Sequence, residues 1–226
     1  MRKIAAPEPS TWAQGLRSLD VGNLRTIFPS AQADAAQPSI GVAEQKMVRH
    51  NVRRTFLNQL AIANAAKALD GLPAAGESWH GIMAGCFDAF SFLPAILRLA
   101  QSNAAQVYVA TLGFNSANMA QLFALLDAGE VHHVGFLFSC YYRSAEPETT
   151  DALILGMKAR GQRVAVGRNH AKIIAVALED GRFFTWEGSA NMRSCRNAEN
   201  YVLSEGEDLF RFHAHWIDTF LDEAGQ

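Results

Sequence analysis

The amino-acid sequence predicts an α/β fold in which a mixed, mostly parallel β-sheet is flanked by helices. From Gln106 onward, apolar runs rich in β-branched residues alternate with segments of helical composition. Helices of this length between strands imply right-handed crossovers, which place successive strands parallel to one another. A turn at Gly181 predicts a hairpin that adds strands of the opposite sense.

Each element of this pattern has a local signal. Within a core over 106–226, the expected order is strand 107–114, helix 116–126, strand 131–138, helix 147–160, strand 164–166, a hairpin over 169–191, strand 200–204 and helix 207–223. Ser116 is a favourable N-cap for the first helix, and Gly161 suits the position just after the second. The last helix is amphipathic, and the residues expected on its inward face are Leu209, Phe212, Trp216, Phe220 and Leu221.

The part of the chain before this core is expected to differ from it. Residues 1–42 are rich in Ala, Pro, Ser and Gln and predict an extended arm, which either wraps a partner subunit or packs irregularly on the surface. Residues 43–105 predict a helical part packed on the core, with a long helix that ends before Gly71. Arg53 and Arg54 belong to the cation-rich half of that helix, which is either a phosphate-contact surface or a solvated face.

Composition and charge exclude several classes of protein. The chain is 49% hydrophobic and 19% charged over 226 residues, which is typical of a globular protein. A formal net charge of -2 excludes a uniformly basic nucleic-acid coat, so a nucleic-acid partner would need a local patch. Three cysteines without C-x-x-C spacing predict neither a disulfide framework nor a zinc site. The N-terminus lacks the apolar core of a signal peptide, and no apolar run approaches the ~18 residues of a membrane span, so we expect a cytoplasmic protein without a membrane partner.

Two short segments carry the residues best suited to chemistry. His170 and Lys172 stand in an apolar run, where alternate strand positions would place both side chains on one face, about 7 Å apart. Ser189 and Asn191 have the same spacing directly after Gly188. If the segments pair as a hairpin, one face presents an imidazole, an ammonium group, a hydroxyl and a carboxamide. This set is a nucleophile surrounded by donors for a phosphate.

H-x-K followed by G-S-x-N resembles the HKD motif of the phospholipase D superfamily, whose members cleave phosphodiesters through a phosphohistidine. The resemblance extends from about Gln106 to the C-terminus and includes Glu199-Asn200 after the second segment. It implies a phospholipase D-like fold for the core. The family's fuller pattern has Asp five residues after the Lys, where this chain has Ala177.

The resemblance also implies roles for the motif residues. The catalytic set that it implies is His170, Lys172, Ser189, Asn191 and Glu199. His170 would be the nucleophile, and the Lys, Ser and Asn side chains would bind the phosphate. A nucleophilic imidazole needs its other ring nitrogen held by a partner. Glu199 is the candidate for this role, and Glu187 is the competing one.

A single copy of the motif has a consequence for assembly. One chain supplies only one nucleophilic histidine, whereas the leaving oxygen needs a second proton donor. The resemblance therefore implies an obligate homodimer in which two copies of His170 face one phosphate. No metal or cofactor is expected, since the adjacent His132 and His133 would point to opposite faces of a strand.

Charge around the motif favours a polyanionic substrate, most simply nucleic acid and DNA in particular. The candidates for substrate binding are Arg168, Arg193, Arg196, Arg53 and Arg54. Three hypotheses remain open: a metal-independent nuclease or phosphodiesterase, a nucleic-acid-binding dimer without turnover, and a lipid phosphodiesterase or phosphatidyl transferase. Cleavage of DNA in a chelator separates the first from the second, and sedimentation with liposomes identifies the third.

Overall fold

The computed structural model describes residues 59–84, 87–193 and 197–224. The predicted arm over 1–42, together with Arg53, Arg54 and Arg196, lies outside these residues. The strands are β1 (Ser78–Ala84), β2 (Ala104–Thr111), β3 (Val131–Ser139), β4 (Arg163–Gly167), β5 (Ile173–Leu178), β6 (Phe183–Gly188) and β7 (Ala198–Glu205). The helices are α1 (59–69), α2 (Phe92–Ala100), α3 (Ser116–Asp127), α4 (Cys140–Ala145), α5 (Pro147–Ala159) and α6 (Glu207–Ala224).

The seven strands among the described residues form one sheet in the order β1-β7-β6-β5-β2-β3-β4. The mixed α/β sheet with flanking helices is confirmed, but the expected predominance of parallel pairing is wrong. Only β2–β3 and β3–β4 are parallel, and the other four pairs are antiparallel. The five residues between β4 and β5 are too few for a crossover, which needs a dozen or more. As a result β5 returns antiparallel beside β2, and the two hairpin connections that follow continue in that manner.

The region predicted to be helical also contributes to the sheet. Strand β1 pairs with β7 along its whole length, from Ser78 opposite Ser204 to Ala84 opposite Ala198. The boundary expected at 105/106 therefore does not separate a helical part from the sheet, and β2 itself begins at Ala104. Local sequence could not reveal this pairing because the two strands are more than a hundred residues apart.

Helices cover the two faces of the sheet unequally. One face carries the larger apolar core, with Phe92, Trp186 and Leu153 fully buried beneath α1 to α5. The other face is covered by α6, whose Ile217 and Leu221 pack on the central strands. The sheet is thus buried on both sides at β5, which explains why all six of its residues are buried.

The inward face of α6 differs from the expectation. Phe212 is 62% exposed, whereas Phe210, His213, Ile217 and Leu221 are buried. This stripe has the helical spacing of three and four residues, but a histidine interrupts its apolar character. His213 is 4% exposed, and its Nδ1 accepts a hydrogen bond of 3.0 Å from the indole of Trp216. A polar ring therefore occupies a buried position on the face that α6 turns towards the sheet.

The direction of the strands defines one edge of the sheet as the place where polar segments meet. Strands β2, β3, β4 and β6 end at this edge, and β5 and β7 begin there. In open α/β sheets, ligands bind outside the carboxyl ends of the strands, beside a point where the strand order reverses. Here β3 and β5 flank β2 on opposite sides, so the order reverses at β2. Among the described residues, no helix is long and apolar enough to cross a membrane.

Candidate active site

The two motif segments meet at the carboxyl edge of the sheet. Strand β5 begins at Ile173, so His170 and Lys172 lie in the extended segment just before it rather than within the strand. The amide of Gly188 donates to the carbonyl of Lys172 across 3.2 Å, which continues the β5–β6 pairing one residue beyond the ladder. This bond holds the H-x-K and G-S-x-N segments side by side, as the hairpin expectation requires.

His170 and Lys172 contact each other directly. Lys172 Nζ lies 2.8 Å from His170 Nδ1 and 2.7 Å from the His170 carbonyl oxygen. A lysine ammonium group can only donate, so Nδ1 accepts in this arrangement. The imidazole is exposed, whereas the lysine side chain is buried at 9% exposure. The imidazole therefore faces solvent, and the lysine side chain lies beneath it.

The charge of Lys172 is affected by two opposing influences. Burial lowers the pKa of this lysine below its ordinary value, because the charged form loses hydration. The negative charge of Glu199 acts in the other direction and raises it. The structure thus brings Lys172 and Glu199 close enough to interact, although they are 27 residues apart in the sequence.

Ser189 connects the second segment to β7. Its hydroxyl donates to the Glu199 carboxylate and accepts from the amide of Asn200 across 3.1 Å. Glu199 was expected to hold the free ring nitrogen of His170, and that role stays a prediction. A larger residue at position 188 would clash with β7, because a Cβ there would lie 2.7 Å from the backbone oxygen of Asn200. The glycine of G-S-x-N lets β6 and β7 approach closely at the site.

Asn191 completes the set of motif side chains. Its Oδ1 is buried without a hydrogen-bond partner among the described residues. An unpaired buried amide oxygen is costly, because it has given up its hydrogen bonds to water.

The competing candidate Glu187 lies on the other face of the sheet. Its carboxylate is 3.2 Å from Nε2 of His213 on α6. This contact lowers the pKa of Glu187, because His213 favours the ionised carboxylate. The structure therefore places Glu187 against α6 and not beside His170.

Ala177, where the fuller family pattern has Asp, lies far from His170 and Lys172. It is on β5 opposite Gln106 and Phe183, five residues beyond Lys172. At ~3.3 Å per residue this is about 16 Å along the strand. Ala177 belongs to the small apolar cluster beneath α6, together with Phe210. The substitution at this position therefore changes packing beneath α6 and not the set of groups at the site.

Two predicted substrate-binding cations border the site. Arg168 directly follows β4 and Arg193 directly follows Met192, and both are exposed. Neither forms an ion pair with any residue that the structure describes. Among the residues that the structure describes, no group of three or more His, Cys, Asp or Glu side chains is arranged to hold a metal ion.

Sequence reasoning missed the buried polar residues that contact the motif from below. They are Thr111 at the end of β2, Asn118 on α3 and Asn169 before His170. A threonine that ends an apolar strand and an asparagine next to a candidate nucleophile are weak signals by themselves. Their contacts depend on three separate elements, which no local pattern connects.

Comparison with protein-family models finds no match, and comparison with curated proteins finds none. Among solved structures, the chain is similar to a phospholipase D family member, Nuc from Salmonella typhimurium, at 17% identity and a TM-score of 0.48, over 65% of this chain and 94% of that one. It is similar to NucT from Helicobacter pylori at 12% identity and a TM-score of 0.45, over 65% and 97% of the two chains. It is also similar to phosphatidylserine synthase from Haemophilus influenzae at 13% identity and a TM-score of 0.46, over 66% and 39%. The first is named as a member of the family that the motif resembles. Identities this low leave the function to the chemistry of the site itself.

The lowered pKa of Lys172 predicts how its replacement affects stability. Because the folded-state pKa is below the unfolded value of ~10.4, charging this lysine opposes folding at neutral pH, and the effect disappears as pH rises through that window. Lys172→Met should therefore gain stability relative to wild type at pH 7, and the gain should shrink towards pH 10.5. Thermal unfolding at both pH values measures this. The exposed Lys158→Met serves as control and should show no such trend; a difference for Lys172→Met that does not change with pH would contradict the prediction.

Proposed function

We propose that the protein is a metal-independent phosphodiesterase that cleaves nucleic acid through a phosphohistidine on His170. The observation that carries this proposal is the exposed imidazole in contact with a buried lysine, at the sheet edge where Ser189, Asn191 and Glu199 also lie. A nucleophile with fixed donors around it is what covalent phosphoryl transfer requires. Lys172 supplies the positive charge that a metal ion supplies in other phosphodiesterases.

The covalent step follows from the state of the imidazole. A ring nitrogen attacks phosphorus, a P–N bond forms, and the P–O bond to the leaving oxygen breaks as that oxygen takes a proton. Because Lys172 donates to Nδ1, a neutral ring in this arrangement carries its proton on the other nitrogen. A substrate phosphate competes for the same ammonium group. Its binding would draw Lys172 away and release the imidazole for attack, so the lysine both protects and activates the nucleophile.

A second proton donor has to come from a second chain in this proposal. The other histidines in the described residues lie on β1, β3 and α6, outside the two motif segments. A homodimer with the site on its two-fold axis provides another His170. That second imidazole protonates the leaving oxygen and then activates the water that hydrolyses the phosphohistidine.

The surroundings of the site favour nucleic acid as substrate. Arg168 and Arg193 are exposed cations on the same edge as His170. Tyr141, two residues beyond the end of β3, is 67% exposed on that edge. Arg193 lies near Tyr142 at the start of α4. Burial raises the pKa of Tyr142, and the positive charge of Arg193 lowers it. Cations beside an exposed aromatic ring are the combination that binds a phosphate backbone and stacks a base.

Digestion of plasmid and single-stranded DNA in excess EDTA tests the proposed activity. Wild type should cleave, and His170→Ala should lose activity by a factor on the order of 10⁴ or more, as expected when a nucleophile is removed. Glu187→Gln is a matched control, because its carboxylate lies on the other face and its loss should leave cleavage intact. Acid-labile phosphate on trapped wild-type protein would identify the phosphohistidine.

Failure would take two distinguishable forms. Wild type that binds DNA tightly as a dimer without cleaving it would indicate the nucleic-acid-binding protein. Cleavage that persists in His170→Ala would show that another group is the nucleophile.

Mixed dimers test the composite site. Differently tagged wild-type and His170→Ala subunits can be co-expressed and purified in two affinity steps. If two copies of His170 act on one phosphate, the mixed dimer should lose activity by about 10²-fold or more, because it lacks the acid–base imidazole. Independent sites would retain half of the wild-type activity. Light scattering of the wild type should give the mass of a dimer, and a monomer with full activity would overturn this part of the proposal.

The salt dependence of binding tests the two border arginines. In the His170→Ala background, which removes cleavage, Arg168→Gln and Arg193→Gln should each reduce the slope of log affinity against log salt by about 0.7 for single-stranded DNA. Lys158→Gln, an exposed cation on α5 at the opposite edge of the sheet, should leave the slope unchanged. Fluorescence anisotropy of labelled DNA measures all four proteins. Equal slopes would mean that these arginines do not contact the phosphate backbone.

A further inference from the structure

Thr111 forms hydrogen bonds with a residue of each of the two polar segments that carry the motif. It is the last residue of β2, it is fully buried, and β2 lies next to β5 in the sheet. Its carbonyl oxygen accepts a hydrogen bond of 3.1 Å from Asn169 Nδ2. Its hydroxyl oxygen accepts one of 3.3 Å from the amide of Met192. One residue therefore contacts the neighbour of His170 and the neighbour of Asn191.

Asn169 connects Thr111 to the backbone around His170. The side chain of Asn169 is 7% exposed, and its Oδ1 accepts from the amide of Ala171 across 2.9 Å. This is a turn in which the side chain fixes the backbone two residues on. Because Asn169 Nδ2 also binds Thr111, the peptide groups around His170 are fixed relative to the end of β2.

Met192 connects Thr111 to the backbone next to Asn191. The amide of Met192 donates to the Thr111 hydroxyl, and its carbonyl accepts from Asn118 Nδ2 across 2.9 Å. Asn118 is 4% exposed and also donates to Asp88 across 3.1 Å. Both backbone polar groups of Met192 are therefore bound to buried side chains of the scaffold. The backbone next to Asn191 has little freedom.

We propose that Thr111 is a positioning residue that sets the relative placement of His170 and Asn191, with Asn118 and Asn169 as its partners. This inference rests on the proposed function, because it assigns both side chains to one reacting phosphate. The hydroxyl is the informative part of Thr111. Asn169 binds the backbone carbonyl of Thr111, and a side-chain substitution keeps that acceptor. Met192 binds the side-chain oxygen of Thr111, so this contact requires the hydroxyl.

Thr111→Val tests the proposal because it keeps the shape of the side chain and removes the hydroxyl, which accepts from the amides of Met192 and Gly113 and donates to the Gly113 carbonyl. Misplacement of a reacting group by ~1 Å can cost about 10²-fold in rate, so kcat for a phosphodiester should fall by tens of fold with little change in KM. Thr111→Ser restores the hydroxyl and should recover most of the activity. Thr150→Val is the matched control, since Thr150 is also fully buried and its hydroxyl donates to carbonyls within the α5 region.

Hydrogen exchange provides a readout that does not depend on activity. In Thr111→Val, exchange should accelerate in 188–193 and remain at wild-type rates in β3 and α5. Local acceleration with the loss in kcat, both reversed by Thr111→Ser, supports the proposal. Wild-type kcat in Thr111→Val, an equal loss in Thr150→Val, or acceleration throughout the sheet overturns it. If wild type cleaves no phosphodiester, the proposed function fails, and the exchange pattern alone decides whether Thr111 holds the segment.

Discussion

The short connection between β4 and β5 is the constraint on which the site depends. Five residues cannot carry a crossover, so the chain must turn back and run antiparallel beside β2. That return places His170 and Lys172 at the edge where the parallel strands end, instead of at the far edge of the sheet. The next hairpin brings Ser189 to the same edge, and β7 then adds Glu199. One topological restriction thus gathers groups from three strand ends around a single point.

The same arrangement explains why a buried lysine is retained. Lys172 lies beneath an exposed imidazole, with its ammonium group bound to the ring and to a backbone carbonyl. An apolar residue there would avoid the loss of hydration that lowers its pKa. In the proposed function, it would also leave the substrate phosphate without this cation. Residues that weaken folding while serving a ligand are characteristic of functional sites.

Much of the architecture could be predicted from the sequence, because many of the elements have local sequence signals. The apolar runs and glycines predicted β3, α3 and α5 to within one or two residues, and Gly161 and Gly181 have the positive φ angles that their turn positions require. The pairing of β1 with β7 was not accessible, because it joins strands distant in sequence. The site shows the same division. A short motif indicated His170, Lys172 and Asn191, whereas the contacts that hold the two motif segments arise from the end of β2 and from α3. The alternation of side chains along β6 decided that Glu187 faces α6.

The position of Ala177 matters for how chains of this kind are recognised. Its side chain lies in the apolar cluster beneath α6, about 16 Å along the strand from Lys172. A search pattern that demands an acidic residue there selects, in this chain, for the way a helix packs on a sheet and not for the groups that would touch a substrate. Chains with an apolar residue at that point should therefore be screened by the residues at the strand ends before they are set aside as degenerate copies.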